Sequence, residues 1–130
     1  MESCEKQESS AENTEIVKIL APLTDNPNDP NEYGETPIYW AACFGHTEIV
    51  KILCTLTANP NAPDEYGETP ILMAACKGHT KIVKILAPLT DNPNTPDEDG
   101  VTPITIAKKM LPYNAGKKII KILQKYSKFE

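Results

Sequence analysis

The sequence predicts an all-α repeat solenoid, and three observations support this prediction. Gly34, Gly67 and Gly100 are spaced 33 residues apart, and after one further residue each is followed by Thr-Pro. Residues 31–63 and 64–96 align without a gap and agree at 24 of 33 positions. Each unit also carries apolar residues at helical spacing. A unit repeating at this period cannot bury its own apolar face, so it must stack on its copies.

The period divides the chain into a partial unit, two clean units and a divergent unit. Residues 14–20 already repeat the segment that starts at Thr47, and after Ala107 the register slips by four residues. We therefore assign residues 1–30 to a partial N-terminal capping repeat, 31–63 and 64–96 to two repeats, and 97–130 to a divergent C-terminal capping repeat.

The first helix of each clean unit has a start and a stop signal. Thr36 and Thr69 place a hydroxyl at the N-cap. The proline that follows has no N–H, but the first helical position needs none because its N–H has no partner within the helix. An Ala-Ala pair then allows a neighbouring helix to approach closely. Gly45 and Gly78 can take the left-handed conformation that ends the helix.

A second helix follows, for which Thr47 and Thr80 are the expected N-caps. In the first clean unit its apolar stripe consists of Ile49, Val50, Ile52, Leu53 and Leu56. Residues 59–67 are rich in Pro, Asn, Asp and Gly, which predicts a turn or hairpin between one unit and the next.

The Gly-x-Thr-Pro-Ile start, the Ala-Ala pair, the Gly-His pair and the Ile-Val-Lys-Ile-Leu segment, at this period, resemble the ankyrin repeat. The resemblance extends over roughly residues 13–125. It implies antiparallel helix pairs, linked by hairpin loops at right angles to them, stacked into a curved solenoid. It also implies a protein–protein interaction module rather than an enzyme.

The chain departs from the family at the position that usually holds a histidine, two residues after the Thr-Pro pair. Tyr39, Leu72 and Thr105 stand there. We expect this change to remove a hydrogen-bonding element and to loosen the order between repeats.

A second departure lies after the second helix, where threonine replaces the family's glycine at positions 24, 57 and 90. A threonine forced into a left-handed cap would be strained. Pro22 and Pro88 cannot donate to the last helical turn. We therefore expect this helix to end in a different way from the usual glycine cap.

The four cysteines do not predict a disulfide framework. Cys43 and Cys76 hold equivalent positions in adjacent repeats, and packed helices lie about 10 Å apart. A disulfide requires the two Cα atoms to lie within roughly 7 Å of each other, so we expect no bridge between these cysteines. Free thiols and a start without the basic and apolar regions of a signal peptide lead us to expect the cytosol or the nucleus. No apolar run approaches the roughly 18 residues of a membrane span, and we expect a monomer.

Charge is unevenly distributed along the chain. Residues 1–100 carry 6 lysines and 17 acidic residues, whereas residues 101–130 carry 7 lysines and one acidic residue. Lys117, Lys121, Lys125 and Lys128 fall on one helical face. This face is either the polar outside of a capping helix or a docking surface for anionic lipid, nucleic acid or an acidic partner. Because the chain has no arginine, sequence-specific DNA reading is disfavoured.

Catalysis and metal binding find little support. His46, His79, Cys43 and Cys76 lack the spacing of zinc ligands, and each recurs with the period as a scaffold position would. Neither paired catalytic carboxylates nor a glycine-rich phosphate loop is present. We expect no enzymatic activity and no cofactor.

The candidate partner-binding residues are those that, in the family, face the concave groove and the hairpin tips. The flanking carboxylates favour a partner with a basic or mixed surface. For Trp40 both a surface role and packing between helices are open, and we favour a place in the core. The candidates are Glu32, Tyr33, Glu35, Phe44, Glu65, Tyr66, Glu68, Lys77, Glu98 and Asp99, joined by Cys43, Cys76 and Val101.

Three hairpin asparagines, Asn28, Asn61 and Asn94, match the position that asparaginyl hydroxylases modify in ankyrin repeats. A turn-stabilising role is the simpler interpretation of the same residues. Three functions remain open: a binding module, electrostatic docking through the lysine-rich helix, and a scaffold fragment of a larger ankyrin protein. The third is supported by residues 1–12, which have no Thr-Pro start.

Overall fold

The computed structural model describes residues 29–109 and 114–127, which form helices in two layers. The inner layer comprises the first helix of each unit and the outer layer the second, and each helix packs on its counterpart in the next unit. The described residues contain no strand, and the all-α solenoid is confirmed. In chain order the helices are α1 (Pro37–Phe44), α2 (Thr47–Cys54), α3 (Pro70–Lys77), α4 (Thr80–Leu86), a 3-10 helix (Ala87–Leu89), α5 (Pro103–Lys108) and α6 (Asn114–Tyr126).

The inner helices α1, α3 and α5 begin as the sequence predicts. Thr36, Thr69 and Thr102 are the N-caps, and each hydroxyl accepts the N–H three residues later at 3.1 Å. A cap of this kind typically contributes about 1 kcal/mol to helix stability. These caps fix where each inner helix starts and therefore where the preceding hairpin ends.

Gly45 and Gly78 end α1 and α3 in the left-handed conformation, with φ of 81° and 75°. This confirms their predicted role. At Gly45 the absence of a side chain has a second use, because a Cβ there would lie 2.7 Å from the imidazole of His79. The glycine therefore admits the histidine of the next repeat.

The prediction that Thr47 and Thr80 cap the outer helices is wrong. Both residues are already helical, and the N-cap positions are held by His46 and His79, neither of which makes a side-chain cap hydrogen bond. Gly-His supplies a tight connection between inner and outer helices, which leaves no residue for a separate hydroxyl cap.

The outer helices do end without a left-handed threonine, as predicted. Helix α2 stops at Cys54, and α4 runs into the 3-10 helix that contains Pro88, after which Thr90 is extended at φ −130° and ψ 151°. Among the described residues only glycines have positive φ. Leu56, placed in the apolar stripe of α2, lies beyond the helix end and is 42% exposed, so that assignment is wrong.

One apolar core runs between the two helical layers through all the described repeats. A fully buried aliphatic side chain contributes about 1.5–3 kcal/mol relative to an exposed one, and the alanines let the inner helices approach closely. The fully or nearly fully buried members are Ile38, Ala41, Ala42, Ile49, Val50, Leu53, Ile71, Ala74, Ala75, Ile82, Val83, Leu86, Ala107, Ile119 and Leu123.

Candidate protein-binding surface

Three hairpin turns project from the starts of the inner helices, and all are closed by the same side-chain device. In the first, the Asn31 side-chain oxygen accepts the N–H groups of Tyr33 at 2.8 Å and Glu35 at 3.0 Å. Asp64 plays the same part in the second turn, with both bonds at 2.9 Å. We call the segments 31–35, 64–68 and 97–101 hairpins 1, 2 and 3. In hairpin 3 the acceptor is Asp97.

The hairpins are joined to one another through the backbone. The Glu65 N–H donates to the carbonyl oxygen of Tyr33, and the Glu98 N–H donates to that of Tyr66, both at 3.0 Å. Each tyrosine therefore anchors the following hairpin with its backbone while its side chain stays available. The three tips form one connected row.

Glycine is required where this row is tightest. Gly34 and Gly67 have φ of +79°, and a Cβ on either would lie 3.0–3.1 Å from a backbone nitrogen of the next hairpin. Gly100, at φ +82°, has nothing within 4 Å of the corresponding position. The 33-residue glycine period thus has two causes, the left-handed turn and, in hairpins 1 and 2, the contact with the next turn.

The tip side chains differ in exposure. Tyr33 and Tyr66 are 50% and 52% exposed, while Glu35 is buried and its carboxylate accepts from the Asn31 amide at 3.0 Å. Glu68 is half-buried. The remaining tip candidates, Glu32, Glu65, Glu98 and Asp99, are exposed, so the surface offers two tyrosines among carboxylates.

The negative charge of the row is visible at Tyr66. Its pKa is raised above the usual value, first by the charge of Glu65 and also by Glu98 and Asp64. Because the phenol is exposed, this shift reports the local field and says nothing about folding stability. The tips therefore present a negative potential to a partner.

The other candidates lie at the ends of the inner helices. Phe44 is half-buried and stacks on the half-buried Trp40, with ring centroids 5.7 Å apart, and its ring also lies 5.6 Å from that of His46. In the next repeat Lys77 occupies the place of Phe44 and is exposed. This part of the surface changes from aromatic to basic along the array.

Sequence reasoning missed the contact between Tyr39 and Glu68. Tyr39 is buried on α1, and its hydroxyl donates to Glu68 Oε1 of the next hairpin at 3.3 Å. The expected loss of an inter-repeat hydrogen bond is therefore wrong at Tyr39. A signal existed in the sequence, because 33 residues later both members of the pair are replaced together, by Leu72 and Val101.

Burial dominates the electrostatics of this contact. It is the main reason that the pKa of Tyr39 lies far above its usual value, and the charges of Asp64, Glu68 and Glu35 add to the effect. Burial also raises the pKa of Glu68, followed by the neighbouring Asp64 carboxyl, while the hydrogen bond from Tyr39 acts in the opposite direction.

The histidines and cysteines take scaffold positions. His79 Nε2 lies 3.3 Å from the Cys43 carbonyl oxygen, which links two repeats, and burial lowers the pKa of His79. Cys54 and Cys76 are free thiols, of which Cys76 is exposed. Cys43 is buried and disulfide-bonded, so the expectation of a free thiol is wrong at that residue.

Two of the three hairpin asparagines act as turn acceptors. The side-chain oxygen of Asn61 accepts the Ile71 N–H at 3.0 Å, and that of Asn94 accepts the Ile104 N–H at 2.9 Å. Asn61 is buried. Asn28 lies outside the described residues. Hydroxylation of these asparagines stays a prediction, checked by mass spectrometry for one added oxygen atom in protein from its native cell.

The lysine-rich segment forms α6, which packs on α5 and α4. Ile119 and Leu123 are buried, and Lys117, Lys121 and Lys125 are exposed on the other side of the helix, as the sequence predicts. Lys128 lies outside the described residues. The helix is amphipathic and covers the last repeat.

Two further properties concern the described part of the chain only. Within it, no group of three or more histidine, cysteine or carboxylate residues is placed to hold a metal ion. None of its helices combines the length and apolarity that crossing a bilayer demands.

Comparison with known proteins agrees with this architecture. A family model described as "Ankyrin repeats (3 copies)" matches residues 8–64 and again residues 55–129, so that the two matches together cover most of the chain. A comparison with curated proteins finds no match.

Proposed function

This chain belongs to the ankyrin-repeat family, whose members are generally protein–protein interaction modules, and from that premise we propose that it binds a protein with a basic or mixed surface. The binding surface is the row of hairpin tips together with the adjoining ends of α1 and α3. Ankyrin-repeat domains are typically non-enzymatic, and we assign this chain no reaction.

The exposure of Tyr33 and Tyr66 on hydrogen-bonded turns is the observation that carries the proposal. Tyrosine is a frequent anchor of protein interfaces because it combines a large apolar surface with a polar end. The turns that hold both residues are fixed by the same pair of backbone-to-side-chain bonds. A fixed turn loses little entropy on binding, which favours affinity.

The charge of the surface selects the class of partner. Glu32, Glu65, Glu98 and Asp99 are exposed along the row, and the raised pKa of Tyr66 reports the negative field of Glu65, Glu98 and Asp64. Lysine and arginine side chains of a partner can pair with these carboxylates and lie over the tyrosine rings. We therefore expect binding to weaken as salt is added.

A capture experiment with a matched control tests this proposal. The chain is immobilised as wild type, as Tyr33→Ala/Tyr66→Ala, and as Leu89→Ala, and proteins retained from the native cell are identified by mass spectrometry. Leu89 is 50% exposed and lies in the 3-10 helix after α4, so its replacement removes exposed apolar surface away from the hairpin tips.

The tyrosine variant should lose the specifically retained proteins, and the Leu89 variant should keep them. Circular dichroism establishes that each variant is folded. If the folded tyrosine variant retains the same proteins as the wild type, the hairpin tips are not the binding surface.

Helix α6 supports a second function. Lys117, Lys121 and Lys125 are exposed on it, and the described residues after Gly100 include no acidic side chain. Docking on anionic lipid or nucleic acid predicts binding to anionic vesicles or DNA that falls steeply with salt and is abolished by replacing the three lysines with glutamate. Salt-independent binding, or binding that survives the replacement, contradicts it.

A further inference from the structure

Hairpins 1 and 2 use the same turn with one chemical difference, which lies beside a buried tyrosine. In hairpin 1 the Asn31 amide donates to the Glu35 carboxylate at 3.0 Å. In hairpin 2 the equivalent residue is Asp64, which has no amide hydrogen to give to Glu68. Hairpin 2 keeps the two backbone bonds to this position, so we place the Glu68 carboxyl opposite Asp64 as Glu35 lies opposite Asn31. Two charged carboxylates in this position repel each other, whereas one added proton supplies the missing donor.

Glu68 is the carboxyl group that can supply this donor. Asp64 Oδ1 already accepts two backbone N–H groups, from Tyr66 and Glu68, both at 2.9 Å, so this side chain acts as an acceptor in the turn. A protonated Glu68 can donate to Asp64 while its other oxygen accepts the Tyr39 hydroxyl. The bond from Tyr39 on α1 is available in both states of Glu68, so the proton adds the bond to Asp64 within the turn.

We propose that Glu68 is a proton-dependent latch within hairpin 2, closed on Asp64 when it carries a proton and loosened when it is charged. The charged and titratable groups facing it are Asp64 in its own hairpin, Tyr39 on α1 and Asp97 in hairpin 3, and Glu35 of hairpin 1 acts on Tyr39. Asp64 and Asp97 are carboxyl groups, and both disfavour a charge on Glu68.

The direction of the pH effect follows from burial and from Asp64, which together raise the pKa of Glu68 above its ordinary 4.5. Between 4.5 and the raised value the folded chain binds more protons than the unfolded chain. The latch therefore stabilises the fold fully below that window and loses its contribution as the pH rises through the folded pKa. The inference is independent of the proposed function, because it is tested on the isolated chain without a partner.

Asp64→Asn is the matched variant, since it gives hairpin 2 the residue that hairpin 1 already uses. The asparagine oxygen can accept the same two N–H groups, as Asn31 does, and its amide can donate to a charged Glu68. We expect the Glu68 carboxyl, followed by carboxyl-carbon NMR, to titrate at lower pH in the variant than in the wild type. An unchanged titration would overturn the proposal.

Stability gives a second measurement. Urea unfolding from about pH 4.5 to 8 should show that Asp64→Asn gains stability over the wild type as the pH rises, by about tenfold in the folding equilibrium constant, the usual size for a hydrogen bond to a charged group. The titration of His46 and His79 is common to both proteins and cancels in the difference. A difference that is independent of pH contradicts the latch.

Amide hydrogen exchange shows whether the latch acts locally. The Glu65 N–H joins hairpin 2 to Tyr33, and the Glu98 N–H joins hairpin 3 to Tyr66, where Val101 replaces the latch residue. After correction for the intrinsic pH dependence, protection of Glu65 should fall with rising pH while that of Glu98 stays constant. A parallel fall at both amides, or none at Glu65, would refute the proposal even if the variant failed to fold.

Discussion

Replacing Gly67 by alanine measures what contact between hairpins contributes to the array, because the chain contains its own control. Gly67 and Gly100 have nearly the same backbone conformation, with φ of +79° and +82°. A Cβ at Gly67 would lie 3.1 Å from the Glu98 nitrogen and 3.2 Å from the Asp97 Cα, whereas at Gly100 it would meet no atom within 4 Å.

The two substitutions share one energetic cost and differ in another. Placing alanine in the left-handed conformation costs about 1–2 kcal/mol at either position. At Gly67 the backbone of hairpin 3 must also move, which strains or breaks the bond from the Glu98 N–H to the Tyr66 carbonyl, and overpacking of this kind costs about 1–3 kcal/mol more. Gly67→Ala should therefore lose about 2–5 kcal/mol in total and Gly100→Ala about 1–2 kcal/mol.

Urea unfolding followed by circular dichroism supplies the comparison, with the free energy of unfolding taken from the midpoint and slope. Amide exchange at Glu98 should be faster in Gly67→Ala and unchanged in Gly100→Ala. If the two variants lose the same free energy, the close approach of the hairpins contributes nothing and the reasoning from the backbone distances is wrong.

Three further predictions concern single side chains. Asn61→Ala should lower the free energy of unfolding by about 1–3 kcal/mol, because the buried Ile71 N–H loses its acceptor, whereas Asn61→Asp, which keeps an acceptor, should lose less in the same urea measurement. His79 should titrate below 6.5 by NMR, since burial lowers its pKa; its contribution to stability is full above 6.5 and declines as the pH falls through the folded pKa, and a normal titration would contradict this. Cys76 should react with a thiol reagent about tenfold or more faster than Cys54 at neutral pH, because burial raises the pKa of Cys54 to about 11 and the thiolate is the reactive form; equal rates would refute it.

The sequence predicts this fold well because the same helix start and stop signals recur in each repeat. A Thr-Pro start followed by a Gly stop fixes α1 and α3 by local chemistry, and Thr36 and Thr69 serve as predicted. The error at Thr47 also has a local cause. A threonine can be the first helical residue instead of the N-cap when the preceding residue takes the non-helical conformation, as His46 does.

The candidate surface is less predictable, because exposure depends on contacts between repeats. Tyr33 and Glu35 are two residues apart in the same turn, yet the tyrosine is half-exposed and the carboxylate is buried against Asn31. The contact between Tyr39 and Glu68 spans two repeats, and neither residue on its own predicts it. Only the paired replacement one period later carries that information.

That pair indicates how such an array can acquire a local property without changing its fold. The stability of a repeat array is approximately the sum of the unit terms and of the terms between neighbouring units. Between the first two described repeats the pair is Tyr39 and Glu68, and in the following interface the same positions hold the buried Leu72 and the half-buried Val101. A phenol and a carboxyl respond to pH, whereas leucine and valine do not. Protonation should therefore change hairpin 2 and leave hairpin 3 unchanged, so that pH acts on one tip of the row and not on its neighbour.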